Sequence, residues 1–298
     1  ITANITMWCA SIKLSSFFLG FVRPILWTYN PITARILDLS QFSLKIYHAV
    51  DAVQEQPDMP FSLISNEEKR LCHQVDHVFV TSPKLKESLE PYSRSIKYDP
   101  NVVDFDHFSK ALGYESNDLP ADLAKIPEPR IGFIGAISDY KLDIEMIAGL
   151  AKSNPQMSFV FIGPTEEGES LTDLNSWSEL KNIYFLGPKK YSKLPHYCSG
   201  FSCGWLPLRN NKYTESMFPM KFFEYLASGL PVVATSIHSL TEFSSVAFLC
   251  QPTADEFSRA LHLAISGKGP SLEQRLEAAR NNTYTARLRK MLVFIDQD

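Results

Sequence analysis

Two periodicities alternate along the chain. Short apolar runs of strand character, "PILWTY", "LKIYHAV" and "HVFVT", are separated by stretches whose apolar residues recur at helical spacing, "PITARILDLS", "SNEEKRLCHQV" and "SPKLKESLE". Local signals fix several helix starts. Ser82 before Pro83 reads as an N-cap with proline at the first helical position, and Ser65 with Glu68 makes a capping-box pattern. "SSFFLGFVRPILW" reads as a core helix running into a strand, because Lys13 and Arg23 bracket too short an apolar run to cross a bilayer. "SIKYDPNVVDFDHF" reads as a strand that runs into a loop.

The alternation restarts after a polar, proline-bearing stretch, residues 113–129, which reads as an interdomain linker. "RIGFIGA", "SFVFIG", "NIYFLG", "FSCGWLPL" and "VAFLC" are predicted strands; "KLDIEMIAGLAKSNP", "YSKLPHYCSG", "ADEFSRALHLAIS" and "SLEQRLEAARNN" are predicted helices, with a closing amphipathic "YTARLRKMLVFI". In "PMKFFEYLASGLPVVAT" a greasy helix over Pro219 to Ser228 is stopped by Gly229, and a strand follows from Pro231 to Ala234. Strands separated by helices on this scale imply parallel sheets covered on both faces. The expectation is an α/β chain of two Rossmann-like, doubly wound domains, residues 1–112 and 130–298, joined by 113–129. In that architecture ligands bind just beyond the carboxyl ends of strands.

Composition narrows the classes. A chain of 298 residues with 45% hydrophobic and 21% charged residues suits two medium globular domains. A net charge of −4 without a basic stripe argues against a nucleic-acid partner. Cys9, Cys72, Cys198, Cys203 and Cys250 form no CxxC pair, which argues against a zinc site or disulfide framework and for a reducing compartment, the cytoplasm. No signal-peptide pattern is visible, and the opening "ITANITMW" lacks an initiator Met, so residues are expected upstream.

Residues beyond the predicted strand ends form one candidate set. Gly132 and Gly135 flank a turn, and Lys141 is placed on the next helix. "GPTEEGES" and "PLRNNKYTESMF" follow later strands, and then comes the helix bearing Lys221 and Glu224. Glycines at such a turn let backbone N–H groups approach phosphate. A lysine there would neutralise a diphosphate, and a carboxylate one turn along could accept both hydroxyls of a ribose. The bland alternative is equally concrete. Lys221 and Glu224 could be a surface ion pair worth about 0.3–0.5 kcal/mol, and the glycines could simply end strands.

Taken together, "PMKFFEYLASGLPVVAT", "IGFIGAISDYKLDIEMIAGLAKSNPQMSFVFIGP", "NIYFLGPKKYSKLPHYCSGFSCGWLPL", "PTADEFSRALHLAI", "CHQVDHVFVTSPKLKESL" and "DPNVVDFDHF" resemble GT-B fold glycosyltransferases of family 4 (group 1), of the bacterial surface-polysaccharide type, over roughly residues 24–290. The resemblance implies an N-terminal acceptor domain that is incomplete here by ~60–90 residues. It implies transfer of a sugar from a nucleoside diphosphate-sugar to a hydroxyl of a glycan or lipid-linked acceptor, with retention and without metal or cofactor. Glu224 would bind the ribose hydroxyls. The turn at Gly135 and the backbone near Met220 and Lys221 would face the diphosphate, with Lys141 as a phosphate-binding lysine on the first helix of the donor domain. Lys221 would stabilise the departing diphosphate. His48 would face the reacting sugar, against the alternative of an ordinary loop histidine, and Asp51 is a weaker acceptor-side candidate. Peripheral contact with the inner membrane face is a further implication. The chain departs from the family pattern at Ser216, where a second glutamate is expected and Glu215 stands one place off, at "PNVVD", which lacks the family's glycine, and at Ala136 in place of the expected arginine region. These departures keep two alternatives open, a non-catalytic nucleotide-sugar binder and a GT-B fold sugar-nucleotide epimerase.

Overall fold

The computed structural model describes residues 11, 14, 15, 18–20, 24–167, 170, 171 and 173–297. The helix predicted within "SSFFLGFVRPILW" lies largely outside the described residues, as does part of "GPTEEGES". The β-branched and aromatic runs become strands, and every pair in the two main sheets is parallel. Two compact units divide the chain, Ile1–Pro100 with Glu215–Phe218, and Asn101–Thr214 with Pro219–Asp298.

In the first unit β1 (Ile25–Thr28), β2 (Leu44–Ala49), β3 (His77–Val80) and β4 (Ile96–Tyr98) lie side by side in chain order. The connections carry α1 (Thr33–Ile36), α2 (Phe61–Gln74) and α3 (Pro83–Leu89). Tyr47, Leu71, Cys72, Val78, Val80, Leu85 and Leu89 fill the core between sheet and helices. The Ser82 cap forms as read, its hydroxyl accepting the Leu85 N–H at 3.1 Å, and that hydroxyl also donates to the Ser216 carbonyl at 2.8 Å. The Ser65–Glu68 capping box does not form. The helix starts four residues earlier, after Pro60, so Ser65 lies in its interior. Glu68 shares the inward face of Leu71 and Cys72 and is only 2% exposed; it accepts the Tyr47 hydroxyl at 2.6 Å. Burial pushes the Glu68 carboxyl above its ordinary range despite its hydrogen bonds to Tyr47 and Gln54.

The second unit holds β5 (Arg130–Ile134), β6 (Ser158–Ile162), β7 (Ile183–Phe185), β8 (Cys203–Leu206), β9 (Val232–Thr235) and β10 (Phe248–Cys250), in the order β10-β9-β8-β5-β6-β7. A two-stranded ribbon, Glu166–Glu167 with Ser170–Leu171, follows β6. Its helices are α4 (Phe105–Phe108), α5 (Ile144–Ser153), α6 (Leu194–Ser199), α7 (Lys212–Glu215, which reaches the unit boundary), α8 (Lys221–Ala227), α9 (Ala254–Ile265), α10 (Leu272–Arg280) and α11 (Tyr284–Ile295). The chain adds β6 and β7 on one side of β5, then returns to lay β8 on the other. The switch point therefore falls between β5 and β8, where such sheets open a crevice for ligands. A ring cluster of Phe159, Phe161, Trp177, Trp205 and Phe257 packs the core, with the exposed Phe185 at its edge.

The stretch read as a linker is packed. Leu123 and Ile126 are buried, and residues 101–129 belong to the second unit. Gly163, just after β6, shows how close the strand ends come: a Cβ there would sit 1.9 Å from the Gly135 carbonyl oxygen. Gly163→Ala should therefore destabilise the protein by about 3 kcal/mol through forced backbone displacement, read from urea unfolding. Wild-type stability in that variant would show that the strand ends are slack.

Candidate functional site

The site is built around α8, a helix too short to be stable by itself. Phe222, Phe223, Tyr225, Leu226 and Ala227 are all buried and pull it onto the unit. Its end is a Schellman motif. The Leu230 N–H reaches the Tyr225 carbonyl and the Gly229 N–H the Leu226 carbonyl, both at 3.0 Å, with Gly229 at φ +78°. Tyr225 fixes the helix to the sheet, since its hydroxyl accepts the Ile134 N–H at 2.8 Å. Room for its ring exists because Gly204 on β8 has no side chain; a Cβ would meet the ring at 2.5 Å. Lys221 and Glu224 thus stand beside the carboxyl end of β5, at the switch point.

Lys221 Nζ lies 2.6 Å from Glu224 Oε2, so the two residues do form an ion pair. It is not the ordinary exposed kind. The Glu224 side chain is 4% exposed and the Lys221 side chain 25%. Burial pushes the Glu224 carboxyl above its usual range, against the opposing pull of the Lys221 ammonium and, more weakly, His107. Next to this pair stands Tyr191, 50% exposed, its hydroxyl pushed up to about 12 by burial first and then by the charges of Glu224 and Asp104. The His107 ring stacks on Tyr191 at 4.5 Å and 16°, and His107 Nε2 donates to the Tyr191 carbonyl at 3.0 Å.

The other predicted residues fall differently. Gly135 follows β5, but its own N–H is engaged by the Ile162 carbonyl, so any contact this turn offers comes from residues after it. Gly132 lies inside β5 rather than at a turn, and packing explains it: a Cβ would overlap the Phe201 ring at 2.1 Å. Lys141 is not on the helix. It stands in the turn three residues before α5, because Asp143 caps that helix. Its ammonium lies 5.1 and 5.8 Å from the Tyr140 and Tyr213 ring centroids. Met220 is exposed at the start of α8. His48, on β2 of the first unit, is 1% exposed among Tyr29, Trp27 and Phe79 at 5.0, 6.3 and 6.3 Å. Asp51 lies in the bend after β2. Sequence reasoning missed Tyr191 and His107. Position held one clue, since Tyr191 follows β7 by a short loop.

Comparison with known proteins agrees with this architecture. Sucrose-phosphate synthase of Thermosynechococcus elongatus superposes with a TM-score of 0.72 at 20% identity, covering 99% of this chain and 78% of that one. HepE of Anabaena in complex with UDP superposes with a TM-score of 0.73 at 14% identity, covering 97% and 82%. The fold is therefore that of the GT-B glycosyltransferases. Residues 128–266, which carry Gly135, Lys141, Met220, Lys221 and Glu224, match the family described as Glycosyl transferases group 1. The putative teichuronic acid biosynthesis glycosyltransferase TuaH of Bacillus subtilis (strain 168) is 34% identical over 112 residues, 38% of this chain; the match spans only 28% of that relative's length.

The ion pair has a one-sided energetic consequence. A carboxyl whose folded pKa is raised loses stability as pH rises through that pKa, because the ionised form is the disfavoured one. Glu224→Gln should therefore not lower Tm at pH 7, since Lys221 can turn its ammonium to water. Lys221→Met leaves a buried carboxylate unpaired and should lower Tm clearly. Thermal unfolding of both variants checks this, and a Tm loss of several degrees in Glu224→Gln would show that the pair is structural.

Proposed function

We propose that the chain is a glycosyltransferase that moves a sugar from a UDP-sugar to an acceptor hydroxyl, with retention at the anomeric carbon and no metal. The observation that carries this reading is the buried Glu224 carboxylate, paired with a movable ammonium beside the sheet's switch point in the family-matched segment. On donor binding Glu224 exchanges Lys221 for the two ribose hydroxyls. Lys221, Lys141, the turn after Gly135 and the backbone near Met220 face the diphosphate, and Tyr191 offers its ring to the base. As the bond from the sugar carbon to the diphosphate breaks, negative charge grows on the leaving group, and preorganised cations can be a large part of rate enhancement. The acceptor oxygen takes the sugar, and its proton leaves with the diphosphate.

UDP is the nucleotide in the HepE structure, which supports the choice of base. The name of the Bacillus relative supports an acceptor in cell-surface polysaccharide synthesis, a glycan or lipid-linked glycan. We assign the work to the cytoplasmic side, with peripheral contact at the inner membrane face; among the described residues no helix is long and apolar enough to cross a membrane. His48 is assigned to the reacting sugar, so His48→Asn should slow transfer while leaving UDP affinity intact. A non-catalytic binder is the second reading, favoured by Ser216 in place of a glutamate.

Calorimetric titration of UDP tests the donor site. Glu224→Ala removes two hydrogen bonds to a charged group, about 3 kcal/mol, and should weaken UDP about a hundredfold. Lys221→Ala should weaken UDP far more than uridine, and a chelator should leave transfer unchanged. A folded Glu224→Ala protein that binds UDP as the wild type does would refute the assignment.

A further inference from the structure

We propose that Asp122, Lys189 and Tyr197 form a latch that positions the loop after β7 and, through it, Tyr191 beside Glu224. The inference rests on the proposed donor reading, in which Tyr191 meets the base.

The loop leaves β7 at Phe185, turns at Gly187 with φ +66°, and delivers Tyr191 at the entry to α6. Lys189, two residues before Tyr191, is one of two adjacent lysines in this loop, and Lys190 beside it is exposed. Lys189 is committed to Asp122, Nζ to Oδ2 at 2.8 Å. The Tyr197 hydroxyl on α6 donates to the same carboxylate, 3.1 Å from each oxygen, and the Lys189 ammonium lies 5.4 Å from the Tyr197 ring centroid. The Leu123 N–H completes the set at 2.9 Å from Oδ1. One carboxylate therefore gathers a backbone donor, a phenol and an ammonium from three segments.

Asp122 is itself held. Its neighbours Leu123 and Ile126 are buried, and Leu123 lies so close to Gly200 that a Cβ there would meet it at 2.6 Å. The same stretch stacks Tyr114 on His196 of α6 at 3.7 Å, and Arg130 donates to the Ile126 and Gly200 carbonyls at 2.7 and 3.2 Å. Residues 114–130 are thus a brace laid across α6 and the loop before it. From the other side His107 stacks on Tyr191 and holds its carbonyl. The ring is fixed before any ligand arrives, which lowers the ordering cost of binding. Burial pushes the Asp122 carboxyl up, but the hydrogen bonds from Lys189 and Tyr197 outweigh it and hold the group below its usual range. The latch is therefore intact at neutral pH and opens as pH falls through that lowered pKa.

The test compares Asp122→Asn, Lys189→Met and the swap Asp122→Lys/Lys189→Asp with wild type. UDP and pyrophosphate are titrated into each, with Tm and hydrogen exchange over residues 186–193 recorded alongside. The expected result is UDP binding weaker by about tenfold with pyrophosphate binding and Tm little changed, faster exchange in the loop, and recovery of UDP affinity in the swap. KM for the sugar nucleotide should rise with kcat nearly constant. Undiminished UDP affinity in Asp122→Asn would overturn the proposal. So would equal losses for UDP and pyrophosphate together with a fallen Tm, which would make the cluster a mere structural brace. A wild-type protein that fails to bind UDP would overturn the donor reading first, and this role with it.

Discussion

The hydrogen bond from the Ile134 N–H to the Tyr225 hydroxyl is the constraint on which the site depends. Along β5 alternate N–H groups point to β6 and to β8. The Gly135 N–H is taken by Ile162, whereas β8 pairs with β5 only as far as Gly132. The Ile134 N–H therefore emerges on the β8 side beyond the last paired residue, buried and without a strand partner. A buried donor left unmet costs about 1–3 kcal/mol. Tyr225 meets it, and the missing side chain of Gly204 lets the ring in. The orientation of α8, and with it Lys221 and Glu224, is inherited from an unfinished edge of strand pairing.

Two buried glutamates show how burial is made to serve different ends. Glu68 is held by Tyr47, buried in the core, and by the half-buried Gln54, both of them neutral. Glu224 is held by a lysine with a quarter of its side chain in solvent. The first arrangement is a permanent joint, and the second can be exchanged. Both carboxyls are raised by burial, yet only Glu224 faces a partner able to leave. That difference, rather than the size of either shift, marks Glu224 as the candidate binding group.

Much of the fold was legible because strand and helix signals are local. Ser82, Pro83 and Gly229 act where their pattern places them. Local signals failed where tertiary burial set the register. Ser65 lost its cap role because the helix begins at Phe61, directly after Pro60, and Ser65 lies in its second turn. Lys141 slipped off its helix because Asp143 is the stronger cap. The proline-bearing stretch looked like a linker by composition, yet Leu123 and Ile126 are core residues at wide spacing. The order of β5 to β10, and the meeting of His107 with Tyr191 across more than eighty positions, depend on long-range contacts with no periodic trace.

The crossing of Gly163 over the Gly135 carbonyl carries a consequence for how this site can vary. Where the ends of β5 and β6 approach so closely, main chain meets main chain beside the switch point, and no side chain can be added at Gly163 without forcing the two apart. Discrimination among ligands cannot be written into that contact. On the proposed donor reading it falls to the rim, to Tyr191, Lys141, Met220 and their neighbours, where side chains have space to change. The fold thus separates a main-chain pedestal from a border of side chains.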